Sequence, residues 1–361
     1  MKQDVLDALA GRYPKNIPSK ETLLHPGIIN AVAGFDLYDD TPRAYETAYR
    51  KLGIDIHQVL PSGNAPRPRV SGGTWEENGI RYADYGVFPT QMSVGNGPNL
   101  PVSAGGVFGY DTARDDFDPG VKAAALKQLN SAFRERFGEL AVMYHLYYTT
   151  LFMWPIVTFG WEAFLAAAAS DPERFDEMLW EPWAQISRKH FEMLAAMDEE
   201  VVFCHDDLAM STGPVFRPSF YEKHIFPRYE RIIEPVLKRG KKVVFVCDGN
   251  MDQFLERLLE MPFAAIMYES PATPYERIVD TWGKAGRGFI GGISTQILTG
   301  GTPEEVRSHT RAVIDRGRQY PGFIISSCGQ LPGNIPMANI IAYFRTRNEL
   351  GCPAELPAGS T

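Results

Sequence analysis

The sequence predicts an α/β protein built as a single (β/α)8 barrel of the TIM type, with an N-terminal helical and loop extension. Five short apolar runs in the second half each end at a polar or thiol residue or at glycine, and stretches of helical character separate them. This alternation of strand, polar end and helix indicates a parallel sheet. No GxGxxG or GxxxxGKS segment follows any of the runs, so nothing favours a nucleotide-binding sheet instead.

The five apolar runs place chemically active side chains at the predicted strand ends. The runs are 201–204, followed by His205, Asp206 and Asp207; 243–247, followed by Asp248; 263–268, followed by Glu269; 288–291, followed by Gly292 and Ser294; and 322–327, followed by Cys328. Because parallel barrel strands end at one face, these side chains are expected around one pocket.

Three segments are predicted along the chain. Residues 1–50 form a helical extension packed on the barrel, residues 51–350 form the barrel, and residues 351–361 form a loose tail. The first strand is expected within 53–60. The clearest helix starts are Asp171, a capping residue before Pro172, and Thr302, a capping residue before Pro303 and two acids.

The net negative charge of the chain disfavours nucleic acid and anionic membranes as binding partners. The chain has 361 residues with 36 Lys and Arg against 44 Asp and Glu, so its formal net charge is -8. Such a chain offers no electrostatic footprint for nucleic acid or an anionic membrane, and a small-molecule substrate is expected. Segment 141–161 lacks Asp, Glu, Lys and Arg, but Pro155 and Gly160 interrupt it. We interpret it as a buried strand followed by a helix start rather than a membrane span.

The cysteines indicate the compartment. Four cysteines are scattered through the chain, which argues against a disulfide scaffold and predicts a cytoplasmic protein. The sequence does not fix the oligomeric state, and a homodimer is one assembly that it allows.

Asp248, Glu269 and Cys328 are the predicted metal ligands. Oxygen and sulfur donors, with the His205 nitrogen in reserve, suit zinc, whose catalytic sites keep three protein ligands and one open position. Each residue has a simpler alternative: Asp248 could cap the next helix, Glu269 could form an ion pair, and Cys328 could be apolar filler.

His205, Asp206 and Asp207 form the densest polar cluster of the sequence. An imidazole beside a carboxylate is typical of a tuned base or a metal ligand. The alternative is a pair of capping aspartates with a hydrogen-bonded histidine.

At these same residues the chain resembles the uroporphyrinogen decarboxylase superfamily, and its corrinoid-linked methyltransferase branch more than its decarboxylases. The similarity is firmest over residues 201–350. It includes 206–208 with Gly213 and Pro214, the helical segment 226–233, 247–250, 291–293, 301–306, and 327–329 with Pro336, Asn339 and Ile340. The resemblance implies a TIM-type barrel with its site at the strand ends.

The resemblance also implies a metal, with a changed ligand set. Methyltransferases of this branch bind zinc through a His-x-Cys pair on one strand and a Cys on a later strand. The later Cys corresponds to Cys328, whereas the His position falls on Val246 and the first Cys on Asp248. Either the metal set is rebuilt around Asp248, Glu269 and Cys328, or no metal is bound.

The leading hypothesis is a methyltransferase that moves a methyl group from a small O-, N- or S-methylated compound to the cobalt of a corrinoid on a separate protein. Zinc would act as Lewis acid, and His205 or Asp207 would protonate the leaving atom. The predicted apolar walls of the substrate site are Tyr147, Tyr148, Trp154 and Tyr268. Their aromatic character favours a methoxylated aromatic donor.

Two alternatives belong to other classes: a metal-free decarboxylase or lyase on the same barrel, and a non-catalytic binding barrel. The decarboxylase is disfavoured because segment 10–13 only partly matches the arginine-bearing motif of those enzymes. The chain also lacks a basic cluster for the carboxylates of a porphyrin, and Cys328 stands where those enzymes tend to carry His.

Overall fold

Eight parallel strands form a closed barrel. The computed structural model describes residues 2–57, 63–67, 74–77, 80–83, 86–87, 90–91, 104–111, 116–138, 140–144, 150–178, 182–352 and 354–356. The barrel strands are β1 (Ser19–Leu23), β2 (Ile56–His57), β6 (Ala141–Tyr144), β7 (Val201–His205), β10 (Lys242–Cys247), β11 (Ala265–Tyr268), β12 (Gly288–Gly292) and β13 (Phe323–Leu331). Around the ring their order is β1-β13-β12-β11-β10-β7-β6-β2. The predicted fold class is confirmed.

The remaining elements are two small antiparallel sheets and the helices. One sheet contains β3 (Thr74–Glu77), β4 (Ile80–Ala83) and β5 (Thr90–Gln91), and the other pairs β8 (Ala209–Met210) with β9 (Gly213–Pro214). The α-helices are α1 (Lys2–Leu9), α2 (Pro26–Ala33), α3 (Thr41–Lys51), α4 (Ala104–Phe108), α5 (Pro119–Phe137), α6 (Met153–Phe159), α7 (Trp161–Ser170), α8 (Pro172–Met178), α9 (Ala184–Ala196), α10 (Pro218–His224), α11 (Phe226–Lys238), α12 (Leu255–Glu260), α13 (Tyr275–Ile278), α14 (Thr295–Gly300), α15 (Pro303–Gly317) and α16 (Met337–Glu349). A 3-10 turn, Asp252–Phe254, precedes α12, and a π-helical turn, Val279–Gly283, follows α13.

The helix starts follow the capping residues in the sequence. The Asp171 carboxylate accepts a hydrogen bond from the N–H of Arg174 at 3.1 Å, and Thr302 forms a capping box with Glu305 at the start of α15. Residues 218–238 form two helices, α10 and α11, which are divided at Ile225. Pro227 follows this break in the first turn of α11, where its missing N–H costs no internal hydrogen bond.

Alternate residues of each strand pack into two separate cores. Inside the barrel, one apolar cluster contains Ile56, Ala141, Val201, Phe203, Val244, Val246, Ala265, Met267, Ile290 and Ile324. Their neighbours in sequence, such as Cys204, Cys247 and Tyr268, belong to a second cluster between the barrel and the helices. Hence the residue parity along each strand decides whether a side chain faces the inside of the barrel or its helices.

Strand β1 corrects the predicted boundary at residue 51. It lies within the segment expected to be a helical extension, and it closes the barrel by pairing with both β13 and β2. The sequence Ser-Lys-Glu-Thr-Leu has no apolar run because three of its buried side chains, those of Ser19, Lys20 and Glu21, are polar. Lys20 faces inward, since it is in register with Ile56, and Glu21 faces α16, where it accepts a hydrogen bond from Tyr343.

Helix α1 closes the end of the barrel where the strands begin. Its residues Val5, Ala8 and Leu9 belong to the inner apolar cluster. Lys2 pairs with Glu200, just before β7, at 2.6 Å. The opposite end, where the strands finish, therefore holds the polar side chains predicted to form the site.

Segment 141–161 contributes β6 and α6, as expected for a buried strand and a helix start, with residues 145–149 outside the described part. Among the described residues, no helix combines the length and apolar character that crossing a membrane requires.

Candidate metal and active site

On three neighbouring strands, the inward-facing positions are apolar along the strand and become polar at its carboxyl end. Along β7, β10 and β11 the inner positions are Phe203, Val246 and Met267. Two residues further on, the same alternation reaches His205, Asp248 and Glu269. Val246 and His205 are also direct partners in the parallel pairing of β10 with β7. The three strand ends thus bring an imidazole and two carboxyl groups to one side of the barrel mouth.

Asp207 completes a compact cluster with two of these residues. One ligand atom each from His205, Asp207 and Asp248 can be chosen so that all three lie within 4.8 Å of one another. Asp207 Oδ1 is 3.4 Å from His205 Nε2 and accepts a hydrogen bond from the backbone N–H of Asp248 at 2.9 Å. The loop after β7 is thereby joined to the end of β10.

Burial and mutual repulsion disturb the protonation of the carboxyl groups. Burial, followed by the charge of Asp207, raises the pKa of Asp248 to about 6, although His205 and Lys20 act in the opposite direction. Burial and the charges of Asp248 and Asp207 raise the pKa of Glu269 to about 7. Burial is the larger cause for both groups, and the neighbouring carboxylates add to it.

The negative charges that disfavour ionisation of the carboxyl groups favour protonation of His205. Burial opposes its protonation, but contact with Asp207 and the charges of Asp207, Asp248 and Asp206 outweigh burial and raise its pKa. A positive charge is therefore favoured within this cluster.

Lys20 is the site residue that sequence reasoning missed. It is 1% exposed and lies on the inner face of β1, which stands opposite β10 in the eight-strand ring. Its ammonium donates a hydrogen bond to Thr22 Oγ1 at 3.0 Å, and its charge lowers the pKa of Asp248. Counting β1 as a barrel strand would have found it, because the alternation then places Lys20 inside.

Asp206 faces away from the cluster and serves the fold. Its carboxylate accepts hydrogen bonds from the N–H groups of Leu151, Phe152 and Met153 at 2.6–3.0 Å and from the Tyr229 hydroxyl at 2.8 Å. Burial raises its pKa to about 6 despite these donors. The carboxylate fixes the start of α6 against the end of β7.

The backbone after Asp248 is fixed by a close approach. A Cβ atom on Gly249 would lie 1.8 Å from the carbonyl oxygen of Ala209 in β8, so only glycine fits there. The N–H of Asn250 also donates to the carbonyl of Met210 at 2.9 Å. The β8–β9 hairpin therefore rests on the loop that carries Asp248.

The structure brings together some of the predicted site residues and separates others. Asp248 lies with His205, which was predicted as an acid and as a reserve ligand, and with Asp207, which was predicted as an acid; Glu269 stands beside this cluster. Cys328 lies in β13, four residues after the inward-facing Ile324. Its side chain is outside the described part of the structure.

Two of the four predicted aromatic wall residues, Trp154 and Tyr268, pack among the helices rather than at the cluster. Tyr268 is fully buried in the core between the barrel and the helices. Trp154 packs edge-on against Trp183 and His190 of the helical layer, with ring centroids 5.3 and 5.1 Å away. Tyr147 and Tyr148 lie outside the described residues.

Fold and site together define an α/β barrel enzyme class with an acidic, histidine-containing cluster at the carboxyl ends of its strands. Residues 156–350 match the family Uroporphyrinogen decarboxylase (URO-D), which is more than half of the chain, and the protein belongs to this family. No curated protein matches the sequence.

Three solved structures resemble this chain at low sequence identity, and the first of them shares its fold. A methyltransferase from Methanosarcina mazei superposes with a TM-score of 0.64 at 15% identity, covering 96% of this chain and 98% of that one. The 3-keto-D-glucoside 4-epimerase YcjR from E. coli gives 0.35 at 11% identity, covering 66% and 90%. A xylose isomerase-like TIM barrel protein from Mycobacterium smegmatis gives 0.29 at 11% identity, covering 65% and 89%.

Proposed function

We propose that the protein is a cytoplasmic methyltransferase that moves a methyl group from a small O-, N- or S-methylated compound to a corrinoid on a separate partner protein. A methoxylated aromatic remains the preferred donor, zinc the preferred metal, and a homodimer an allowed assembly. The observation that carries the proposal is the His205, Asp207 and Asp248 cluster inside the mouth of a URO-D family barrel. The Methanosarcina mazei protein of the same fold is named a methyltransferase, which makes methyl transfer the first activity to test.

The cluster fits a divalent metal by its donor chemistry. It offers one imidazole nitrogen and two carboxylate oxygens within 4.8 Å of one another. Zinc takes such ligands at about 2.0–2.2 Å and keeps a fourth position open when it is catalytic. We therefore assign His205, Asp207 and Asp248 as ligands, with Glu269 beside them. The contribution predicted for Cys328 remains a proposal.

The residues around this centre divide the remaining tasks. Bound zinc would supply a Lewis acid for the methylated heteroatom of the donor. His205 and Asp207 then serve as ligands, so the proton for the leaving heteroatom is better supplied by Glu269 on the same inner face. Phe203, Val246 and Met267 form an apolar layer beneath the cluster that keeps water from entering through the barrel.

The charge of the pocket disfavours decarboxylation of a porphyrin. The charge of Asp207 disfavours ionisation of Asp248, and the charges of both disfavour ionisation of Glu269, whereas Lys20 on the opposite strand favours ionisation of Asp248. Such a pocket repels a substrate that carries several carboxylates, whereas it attracts a metal cation.

Metal analysis combined with a transfer assay tests the proposal. We expect the purified protein to retain about one zinc ion and to methylate cob(I)alamin from one member of a panel of methoxybenzoates, methylamines and methyl thioethers. His205→Ala and Asp248→Asn should lose both properties, and the exposed control Glu256→Gln should keep them.

Two results would contradict the proposal. Release of CO2 from a carboxylated substrate without a corrinoid acceptor would favour the decarboxylase or lyase. Unchanged metal content and transfer in His205→Ala and Asp248→Asn would show that this cluster is not the site.

A further inference from the structure

We propose that Lys20 is the internal counter-charge of the acidic cluster and that it sets the affinity of the site for a divalent cation. The inference deepens the proposed function, because the cation is the one proposed there. Its first test nevertheless needs neither a metal nor a methyl donor.

Lys20 points into the barrel. It is in register with Ile56 on β2 and with Ser326 on β13, and Ile56 and Ile324 are both inside the barrel. Directly paired residues share a face of a sheet, and so do residues two apart on a strand. Lys20 therefore projects into the barrel and not toward the helices.

The acidic cluster lies on the strands that face Lys20 across the inside of the barrel. Four strands along the ring, β10 presents Asp248, and its neighbours β7 and β11 present His205 and Glu269. An eight-stranded barrel is only wide enough for side chains to fill its interior, so groups on opposite strands act on one another at short range. The effect of Lys20 on the carboxyl of Asp248 agrees with this geometry.

Charge also links Lys20 to the cluster. Asp207 and Asp248 contribute two negative charges, which one divalent cation can balance, and metal ligation requires a neutral His205. Without that cation, Lys20 is the permanent positive charge among these described groups that offsets the repulsion.

A buried lysine is costly unless it compensates other charges. Replacing a buried ion by an apolar side chain of similar size is often neutral or stabilising. If Lys20 only fills space, Lys20→Met should leave the stability of the protein unchanged or raise it. If Lys20 is a needed counter-charge, Lys20→Met should lower the stability.

The competing partner of Lys20 is Glu21 on the outer face. Lys20 also lowers the pKa of the neighbouring Glu21 carboxyl. Glu21 has its own partners, since it accepts a hydrogen bond from the N–H of Ser327 at 3.1 Å and lies 3.9 Å from Arg347. The inner and outer carboxylates can therefore be tested against each other.

The test is a pair of double-mutant cycles on chelator-treated, full-length protein. We expect Lys20→Met to lower the Tm by about 5 °C and the exposed control Lys15→Met to leave it unchanged. Adding Asp248→Asn should recover most of this loss, and adding Glu21→Gln should not. If Lys20→Met alone does not fold, recovery of a folded protein by Asp248→Asn gives the same answer.

A zinc titration provides the second measurement. Removing a positive charge that repels the cation should tighten zinc binding by Lys20→Met at least about tenfold, for an effective dielectric of about 20. A Lys20→Met variant that is as stable as the wild type or more so, unchanged zinc affinity, or coupling to Glu21 instead of Asp248 would overturn the inference. Absence of methyl transfer would overturn the proposed function but not the coupling between Lys20 and Asp248.

Discussion

The inner and outer faces of the barrel wall both bury carboxylates, but they differ in how the protein compensates them. On the outer face, Asp206 accepts four hydrogen bonds, and Glu21 meets a backbone N–H, the Tyr343 hydroxyl and the Arg347 guanidinium. On the inner face, Asp207, Asp248 and Glu269 repel one another. The comparison teaches that burial is common to the two faces and that they differ in the neighbours of the buried carboxylates, which are hydrogen-bond donors on the outer face and other carboxylates on the inner face.

The largest change in stability is expected for the buried carboxylate Asp206 on the outer face. Asp206→Asn should lower the free energy of unfolding by about 3 kcal/mol. The amide nitrogen would face N–H groups at the start of α6 that now donate to the carboxylate. Urea denaturation measures this change, and a loss below about 1 kcal/mol would mean that the outer carboxylate is not structural.

Asp248→Asn should show the reverse behaviour on the inner face. We expect methyl transfer to fall more than about 100-fold, since even residues that only support metal ligands cost 10–100-fold. The unfolding free energy of the metal-free protein should stay the same or rise, because the repulsion by Asp207 and Glu269 is relieved.

The exposed Asp252→Asn is the matched control for this experiment and should change neither quantity. A metal-free Asp248→Asn protein that is as unstable as Asp206→Asn would remove the distinction between the two faces.

The loss of stability at acid pH should come in part from His57, a buried histidine on the outer face of the barrel. Burial lowers the pKa of His57, which packs against Tyr49 and Phe137, to about 3. Between its ordinary pKa and this value the unfolded chain binds a proton that the folded protein does not. The contribution to stability is therefore complete above pH 6.5 and falls with decreasing pH by up to about 1.4 kcal/mol per unit.

Denaturation at pH 7 and pH 5 on metal-free protein checks this sign. His57→Gln should lose less stability than the wild type over this interval. The carboxyl groups with raised pKa act in the opposite direction, and they cancel in this comparison because both proteins contain them. Parallel losses in the two proteins would exclude His57 as the cause.

The smallest expected effect lies in the helical layer, far from either carboxylate set. Thr302→Ala removes the capping box of α15 and should cost about 1 kcal/mol. Zinc content and transfer rate should not change. A change in either would show that the outer helices control the mouth of the barrel.

The barrel of the second half could be predicted because its strands are apolar on both faces. The segments before His205, Asp248 and Glu269 bury one set of side chains inside the barrel and the other under the helices, so they stand out as short apolar runs. Strand β1 could not be found in this way, since Lys20 and Glu21 are buried through charge compensation rather than apolarity.

The sequence indicated where polar side chains would gather, but not which of them would lie together. His205, Asp207 and Asp248 meet at the strand ends, as the pattern of apolar runs predicts. Tyr268 illustrates the limit, because adjacent strand residues face opposite sides, and Glu269 and Tyr268 could not both reach the pocket. Which of Asp206 and Asp207 turns inward depends on loop geometry and on the donors of α6, which lie more than 50 residues earlier.

Helix α1 has a consequence for the order of events during synthesis. It is synthesised well before most of the side chains that it covers, which lie between Val201 and Ile324. Val5, Ala8 and Leu9 must therefore wait for partners, and we expect sealing of the barrel floor to be a late folding event. Pulse-labelled hydrogen exchange during refolding should show the amides of α1 becoming protected after those of β10 and β11.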